Sequence, residues 1–241
     1  MININIKRKL YLAKNRAGQH LAIADFNLTL HSEEFVCLVG PSGCGKTTLL
    51  NIIADLDSDF EGSIDFKQRQ NTPNIGYIFQ NPRLLPWRTV RQNIELAIDG
   101  KASSDNIDSL LETMQLSQFQ HVYPERLSLG MSRRVAIIRA FAINPDLLLM
   151  DEPFVSLDAA TARQVKNSLL ALWSQRPHTV LFVTHDLREA ITLADRIVIL
   201  TAAPMKIMSE IAVTIPRTDR DNEQIIETFR QQVLLNYPEL K

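Results

Sequence analysis

Residues 40–48, GPSGCGKTT, put three of the chain's eight glycines in nine positions and follow them with Lys46, Thr47 and Thr48. Gly40, Gly45, Lys46 and Thr47 fit G-x-x-x-x-G-K-T, with Pro41, Ser42, Gly43 and Cys44 between the outer glycines. That spacing is a phosphate-binding loop, whose backbone N–H groups and following helix N-terminus hold polyphosphate. Lys46 would neutralise the β- and γ-phosphates, the Thr47 hydroxyl would ligate Mg²⁺, and Thr48 would donate to a phosphate oxygen. Cys44 reads as a small residue that fits the loop.

LLLMDE, residues 147–152, is an apolar run ending in two carboxylates. Asp151 at the strand end would stand beside the metal. Glu152, one residue further, would reach an attacking water as general base. His185 ends a second apolar run, TVLFVTH, and its imidazole could hold the γ-phosphate and the attacking water. Gln80 ends IGYIFQ, and its neutral amide can touch Mg²⁺ or the water. Taken singly, Gln80 and His185 are also ordinary strand-end residues. LSLGM, residues 127–131, places Ser128 as a helix N-cap and Gly130 where backbone can approach closely. It reads either as a capped helix only or as a second anion site at a helix N-terminus.

The elements that must position these residues follow from hydrophobic patterning. LAIADFNLTL (21–30) alternates as a half-buried strand, and EFVCLVG (34–40) is a short apolar strand running into the loop. TTLLNIIADL carries helical spacing; DFEGSIDF and NIGYIFQ read as further strands, and NPRLLPWRTV as a loop broken by Pro82 and Pro86. Residues 90–143 read as mostly helical, with Arg133, Arg134 and Arg139 off the apolar face of the last helix. DLLLMD, TVLFVTH and RIVIL lack alternation and are separated by helical stretches, which predicts a parallel sheet covered on both faces. IKRKL (6–10) reads as a solvated strand edge, and the segment after about 205 as a small C-terminal helical cap.

A net charge of −1 with 22% charged residues leaves no basic footprint for nucleic acid. Cys37 and Cys44 lack metal-ligand spacing, so reduced cytosolic thiols are expected. No apolar run approaches the ~18 residues of a membrane span, so any membrane connection is expected through a partner.

GPSGCGKTT, the Gln80 loop, LSLGM, LLLMDE, SLDA (156–159) and THD (184–186) occur in the order of an ABC-transporter ATPase, which the chain resembles over about residues 5–215. The resemblance implies one α/β P-loop NTPase domain over 1–241. It would have a mainly parallel core sheet, a small antiparallel β-subdomain, an inserted helical subdomain at about 82–140 and a C-terminal cap at about 205–241. It also implies two copies packed head to tail around two ATP molecules with Mg²⁺. Ser128 and Gly130 would then contact the γ-phosphate in trans, Asp158 would communicate across the dimer, and His185 would be the switch histidine. An aromatic residue near the N-terminus usually stacks on adenine in that family. Tyr11 is the candidate, at a longer spacing than usual, with a plain surface tyrosine as the alternative.

Leu129 and Met131 depart from the family's L-S-G-G-Q, and Ser32-Glu33-Glu34 lacks the glycine that commonly turns the chain before the loop strand. FQNPRLLPWRTVRQNI and MDEPFVSLDAATA resemble importers of nitrate, sulfonate and taurine, and also those of thiamine-precursor pyrimidines. That implies membrane permease subunits docked near Pro86 and Trp87, a solute-binding protein, and a place at the cytoplasmic face of the membrane. Trp87 could instead close a local core. A soluble ABC ATPase acting on DNA or ribosomes would be expected to carry long insertions, and a P-loop kinase would not explain LSLGM, SLDA and THD together.

Overall fold

The structure is a computed structural model that describes residues 1–12, 19–66, 73–98 and 104–240. Among these the order is β1 (Ile2–Leu12), β2 (Gln19–Leu30), β3 (Phe35–Val39), α1 (Lys46–Ile53), β4 (Glu61–Phe66), β5 (Ile75–Ile78), α2 (Val90–Ile98), α3 (Ser104–Thr113), α4 (Leu129–Ala142), β6 (Leu147–Asp151), α5 (Ala159–Gln175), β7 (Thr179–Thr184), α6 (Leu187–Leu193), β8 (Arg196–Leu200), β9 (Ile207–Ala212) and α7 (Glu223–Asn236). The chain divides into two compact units, Met1–Asn71 with Thr179–Lys241, and Thr72–His178.

The first unit holds two sheets. One is antiparallel, in the order β2-β1-β4, with Ile2, Ile4 and Ile6 of β1 buried at period two. In the other, β3 lies between β7 and β8, parallel to both, and β9 closes the edge antiparallel to β8. Every residue of β3 and β7 is buried, as expected for strands covered on both faces. Phe35 and Phe182 meet edge to face in that core, with centroids 6.5 Å apart.

Two expectations change here. IKRKL is not a strand edge, because β1 is the middle strand of its sheet. A register shift between Ile6 and Arg8 breaks the alternation. Lys7 and Arg8 both face solvent, and Lys9 turns inward to 2% exposure. Its Nζ donates to Asp57 Oδ1 at 2.7 Å and to the Asp59 carbonyl at 2.6 Å. Burial works against the charge, and the Asp57 hydrogen bond with the Asp57 and Asp59 charges more than offsets it, raising the Lys9 pKa. The second change is β9, a strand inside the segment expected to be a helical cap; its residues alternate between half-buried and exposed.

In the second unit β5 and β6 are a parallel pair, and α2, α3 and α4 are inserted between them in the chain. Residues 99–103 of the segment expected to be helical lie outside the described residues. α4 begins where the sequence placed its N-cap: the Ser128 hydroxyl accepts from Met131 N at 3.2 Å.

Candidate nucleotide site

β3 is a short, fully buried strand, so the residue that leaves it, Gly40, emerges at a fixed point of the sheet. The loop from Gly40 to Gly45 then enters α1. Gly45 stands at φ 118°, a conformation that a side chain would strain, and Leu49 N donates to its carbonyl at 2.9 Å as the first turn closes. The early N–H groups of a helix have no intrahelical acceptor, which is what makes this end an anion site. Lys46 is 6% exposed and folds back over the loop, its Nζ donating to Gly40 O at 2.8 Å and Pro41 O at 2.9 Å. Thr47 and Thr48 lie in the first turn of α1. Cys44 is buried at 2% exposure, and burial pushes its thiol up against the pull of Lys46. A thiol so placed packs the loop and has little thiolate to react.

β7 is the parallel neighbour of β3, with Val39 paired to Thr184, so Gly40 and His185 leave adjacent strands at the same level. The His185 ring is exposed while the backbone around it is fixed. The Thr184 hydroxyl donates to Glu189 Oε2 at 2.8 Å and accepts from Asp186 N at 3.0 Å; Asp186 in turn caps α6 through Arg188 N at 2.8 Å. Tyr11 also reaches the first turn of α1: its hydroxyl lies 3.0 Å from Thr48 Oγ1. The Lys9 ammonium sits 4.8 Å from the Tyr11 ring centroid, and the side chain remains 41% exposed.

The remaining residues lie in the second unit, Gln80, Asp151 and Glu152 at the ends of β5 and β6, Ser128 and Gly130 at the start of α4 and Asp158 at the start of α5. Ile78 pairs with Met150, so Gln80 and Glu152 each stand two residues beyond a register partner. Asp151 ends β6 at 5% exposure. Glu152 follows at φ 44°, a left-handed conformation uncommon for a residue with a side chain, which turns the chain sharply where the carboxylates are. Asp158 caps α5, accepting from Thr161 N at 3.0 Å, and its hydrogen bonds to Thr161 lower its pKa. Gly130 lies in the first turn of α4 against α5, where a Cβ would fall 2.5 Å from Thr161 Cγ2.

Three residues not singled out by the motifs organise this unit. Arg133, expected off the apolar face, is 4% exposed. Its guanidinium donates to the carbonyls of Phe79, Gln80 and Val155. Asn93, 1% exposed, accepts from Leu85 N at 2.7 Å and donates to the carbonyls of Leu85, Arg88 and Thr89, fixing the loop that carries Trp87. Arg139 donates to Pro82 O and Arg83 O in the same segment. Trp87 is 70% exposed, which removes the reading that it closes a local core. Hydrogen bonds from distant side chains to backbone leave no sequence signature beyond a polar residue in a helical run.

In the first unit Thr47 offers a hydroxyl, and in the second Gln80 offers an amide oxygen and Asp151 a carboxylate. These hard oxygens suit Mg²⁺, which is usually held by one or two carboxylates together with substrate phosphates. Among the described residues no cluster of three His, Cys, Asp or Glu side chains makes an all-protein metal cage. The chemistry of the donor set therefore fits a magnesium ion that arrives with a nucleotide.

Residues 23–155 match the family described as ABC transporter. The aliphatic sulfonates import ATP-binding protein SsuB of Bacillus licheniformis is 44% identical over 220 residues, covering 89% of this chain and 86% of that protein. The nitrate import ATP-binding protein NrtD of Synechococcus elongatus is 39% identical over 223 residues, covering 88% of this chain and 81% of that protein. The dimeric structure of a post-hydrolysis state of the ATP-binding cassette MJ0796, bound to ADP and Pi, superposes with a TM-score of 0.77. It is 30% identical and covers 90% of this chain and all of that one. The chain belongs to the ABC transporter family, and its fold is the α/β P-loop fold of that family's ATPase cassettes.

Proposed function

We propose that this chain is the ATP-binding and ATP-hydrolysing subunit that powers a membrane importer for a small anionic solute of the sulfonate, taurine or nitrate kind. The observation that carries the reading is its identity, along most of the chain, to ATP-binding proteins of sulfonate and nitrate import. The solute itself touches other chains, so the solute class rests on these relatives and not on the phosphate loop.

In this reading Gly40, Pro41, Ser42, Gly43, Cys44 and Gly45 wrap the phosphates with backbone, and Lys46 exchanges its two loop carbonyls for β- and γ-phosphate oxygens. Thr48 donates to a phosphate oxygen, and Tyr11 offers its exposed ring to adenine. Thr47, Gln80 and Asp151 hold the magnesium ion, which when bound neutralises phosphate charge as it develops. Glu152 takes a proton from the attacking water, and His185 holds the γ-phosphate and that water in line. Ser128 and Gly130 act on the ATP of a second copy, and Asp158 lies on the path between the two copies. The whole of 1–241 serves as one ATPase domain, with a helical subdomain at about 82–140 and a C-terminal cap at about 205–241.

The partners are a second copy, packed head to tail, and membrane permease subunits docked at Pro86 and Trp87, with a solute-binding protein acting through them. Among the described residues no helix is long and apolar enough to cross a membrane. Attachment to the cytoplasmic face then runs through the permease.

Deletion of the gene tests this reading. Cells should lose uptake of an alkanesulfonate, taurine or nitrate, with rescue by the wild type and not by Lys46→Ala. Normal uptake of all three in the deletion strain would contradict the solute class. Rescue by Lys46→Ala would contradict the role of ATP.

A further inference from the structure

We infer that Arg133 is a positioning residue for hydrolysis, a single buried cation that ties the backbone of Gln80 and the loop after Glu152 to the helix that begins at Ser128. The inference rests on the ATPase reading above.

Three observations carry it. Arg133 is 4% exposed, which is costly for a guanidinium unless its donors are used. They are used on backbone: Nη1 donates to Phe79 O at 3.3 Å and to Gln80 O, and Nη2 donates to Val155 O at 3.3 Å. No carboxylate neutralises the group through these bonds, and burial lowers its pKa from a value so high that it stays charged. Three carbonyl dipoles from two loops converge on one cation, and its Nε is left without a partner.

The targets are specific. Phe79 and Gln80 directly follow β5, and Val155 lies midway between Glu152 and Asp158. Val155 N also donates to Glu152 O at 3.2 Å, closing the turn that sets the Glu152 backbone at φ 44°. Arg133 itself is one turn beyond Gly130 on α4. Movement of α4 is thereby transmitted to the metal-facing amide and to the turn that aims the base, without Arg133 touching nucleotide. Lysine cannot reproduce this, because one ammonium lacks the planar fork that reaches both loops at once.

The test uses the full-length chain with Arg133→Met, Arg133→Lys, Gln80→Ala and the Met/Ala double variant. Turnover, MgATP affinity and amide exchange are measured on each. Arg133→Met should keep MgATP affinity within about threefold while turnover falls about tenfold to a hundredfold, since misplacing a reacting group by an ångström costs on that scale. Amide exchange should rise together in residues 79–83 and 152–158. The double variant should lose less than the product of the two single losses, because part of the Arg133 effect runs through the Gln80 loop. Losses that multiply in the double variant, or turnover in Arg133→Met equal to wild type, would overturn the inference. Should Arg133→Met fail to fold, Arg133→Lys decides: slowed turnover with raised exchange in one of the two loops supports the clamp, and unchanged turnover overturns it. A wild type that binds but does not hydrolyse ATP contradicts the ATPase reading, and the exchange data on the two loops still decide the clamp.

Discussion

Val39 and Thr184 are register partners on adjacent parallel strands, so Gly40 and His185 leave the sheet side by side. A phosphate bound by the loop would then lie beside the residue that follows β7. His185→Ala is expected to retain MgATP affinity within a few-fold and to turn over at least ~100-fold more slowly, the usual scale for a lost proton-handling or water-holding group. Equilibrium binding of a fluorescent ATP analogue, paired with phosphate release, separates the two effects. Unchanged turnover would place His185 among ordinary strand-end residues.

Lys46 is held over the loop by two carbonyls before any nucleotide arrives. Replacing it with alanine removes the one side-chain cation aimed at the phosphates from within the loop. MgATP affinity should fall by at least about tenfold, as charge-assisted hydrogen bonds of ~1.5–3 kcal/mol are lost. An unchanged dissociation constant in the same titration would remove Lys46 from the site.

Tyr11 supplies a separable test. Tyr11→Phe keeps the ring and loses the hydroxyl contacts with Thr48 and Asp57, so ATP affinity should change little. Tyr11→Ala should weaken ATP by roughly tenfold, the scale of base–aromatic stacking, and leave inorganic triphosphate binding unaltered. Equal loss for ATP and triphosphate would mean that Tyr11 supports the loop and not the base.

Gly130 carries a packing constraint that must be separated from any catalytic role. A Cβ there meets Thr161 Cγ2 at 2.5 Å, so Gly130→Ala should lose about 1–3 kcal/mol of stability by overpacking. Thr161→Ser removes that methyl and keeps the hydroxyl beside Asp158. Gly130→Asp combined with Thr161→Ser should therefore fold and bind ATP, yet not hydrolyse it, since a carboxylate would repel the partner's γ-phosphate. Normal hydrolysis by that pair would count against the action in trans. Thermal melts and phosphate release on the same preparations make the distinction.

Glu34 gives the pH dependence. Its carboxylate accepts from Arg196 Nε at 2.7 Å, Arg196 Nη2 at 2.8 Å and His31 N at 2.9 Å. Burial pushes the pKa up, and the Arg196 and His31 hydrogen bonds outweigh it, so the folded value lies below the ordinary one. A depressed carboxylate pKa stabilises the fold above the unfolded-state pKa, and that stability is lost as pH falls through the folded value. Glu34→Gln should cost about 2 kcal/mol at pH 7, with the gap to wild type shrinking below about pH 4. A gap in denaturant melts that is constant from pH 7 to pH 3 would contradict the ionised role.

The phosphate loop, the buried strands and the carboxylate pair were legible because each is local. An apolar run of four residues ending in Asp-Glu, or a glycine loop after a buried strand, carries its own signal. Ser128 was legible as a helix cap, and the structure adds that Asp158 is one as well. Lys9 was misread because a bulge in β1 reverses which side chain turns inward, and neighbouring β4 decides that. β9 was missed because its half-exposed edge residues make no continuous apolar run. Arg133 was read off the apolar face without its burial, because helical periodicity locates a face and not what that face meets. Its partners are carbonyls 22 to 54 residues away.

The central claim is that Glu152 performs hydrolysis on an ATP shared by two copies of the chain. Glu152→Gln keeps the size and hydrogen-bonding reach of the side chain and removes its ability to take a proton. Phosphate release by this variant, read beside size-exclusion chromatography with and without MgATP, tests the claim most directly. The expected result is ATP binding with turnover at least ~100-fold slower than wild type and a dimer that appears only with ATP. Turnover close to wild type would contradict Glu152 as the base, and slow turnover by a chain that stays monomeric in ATP would contradict the shared site.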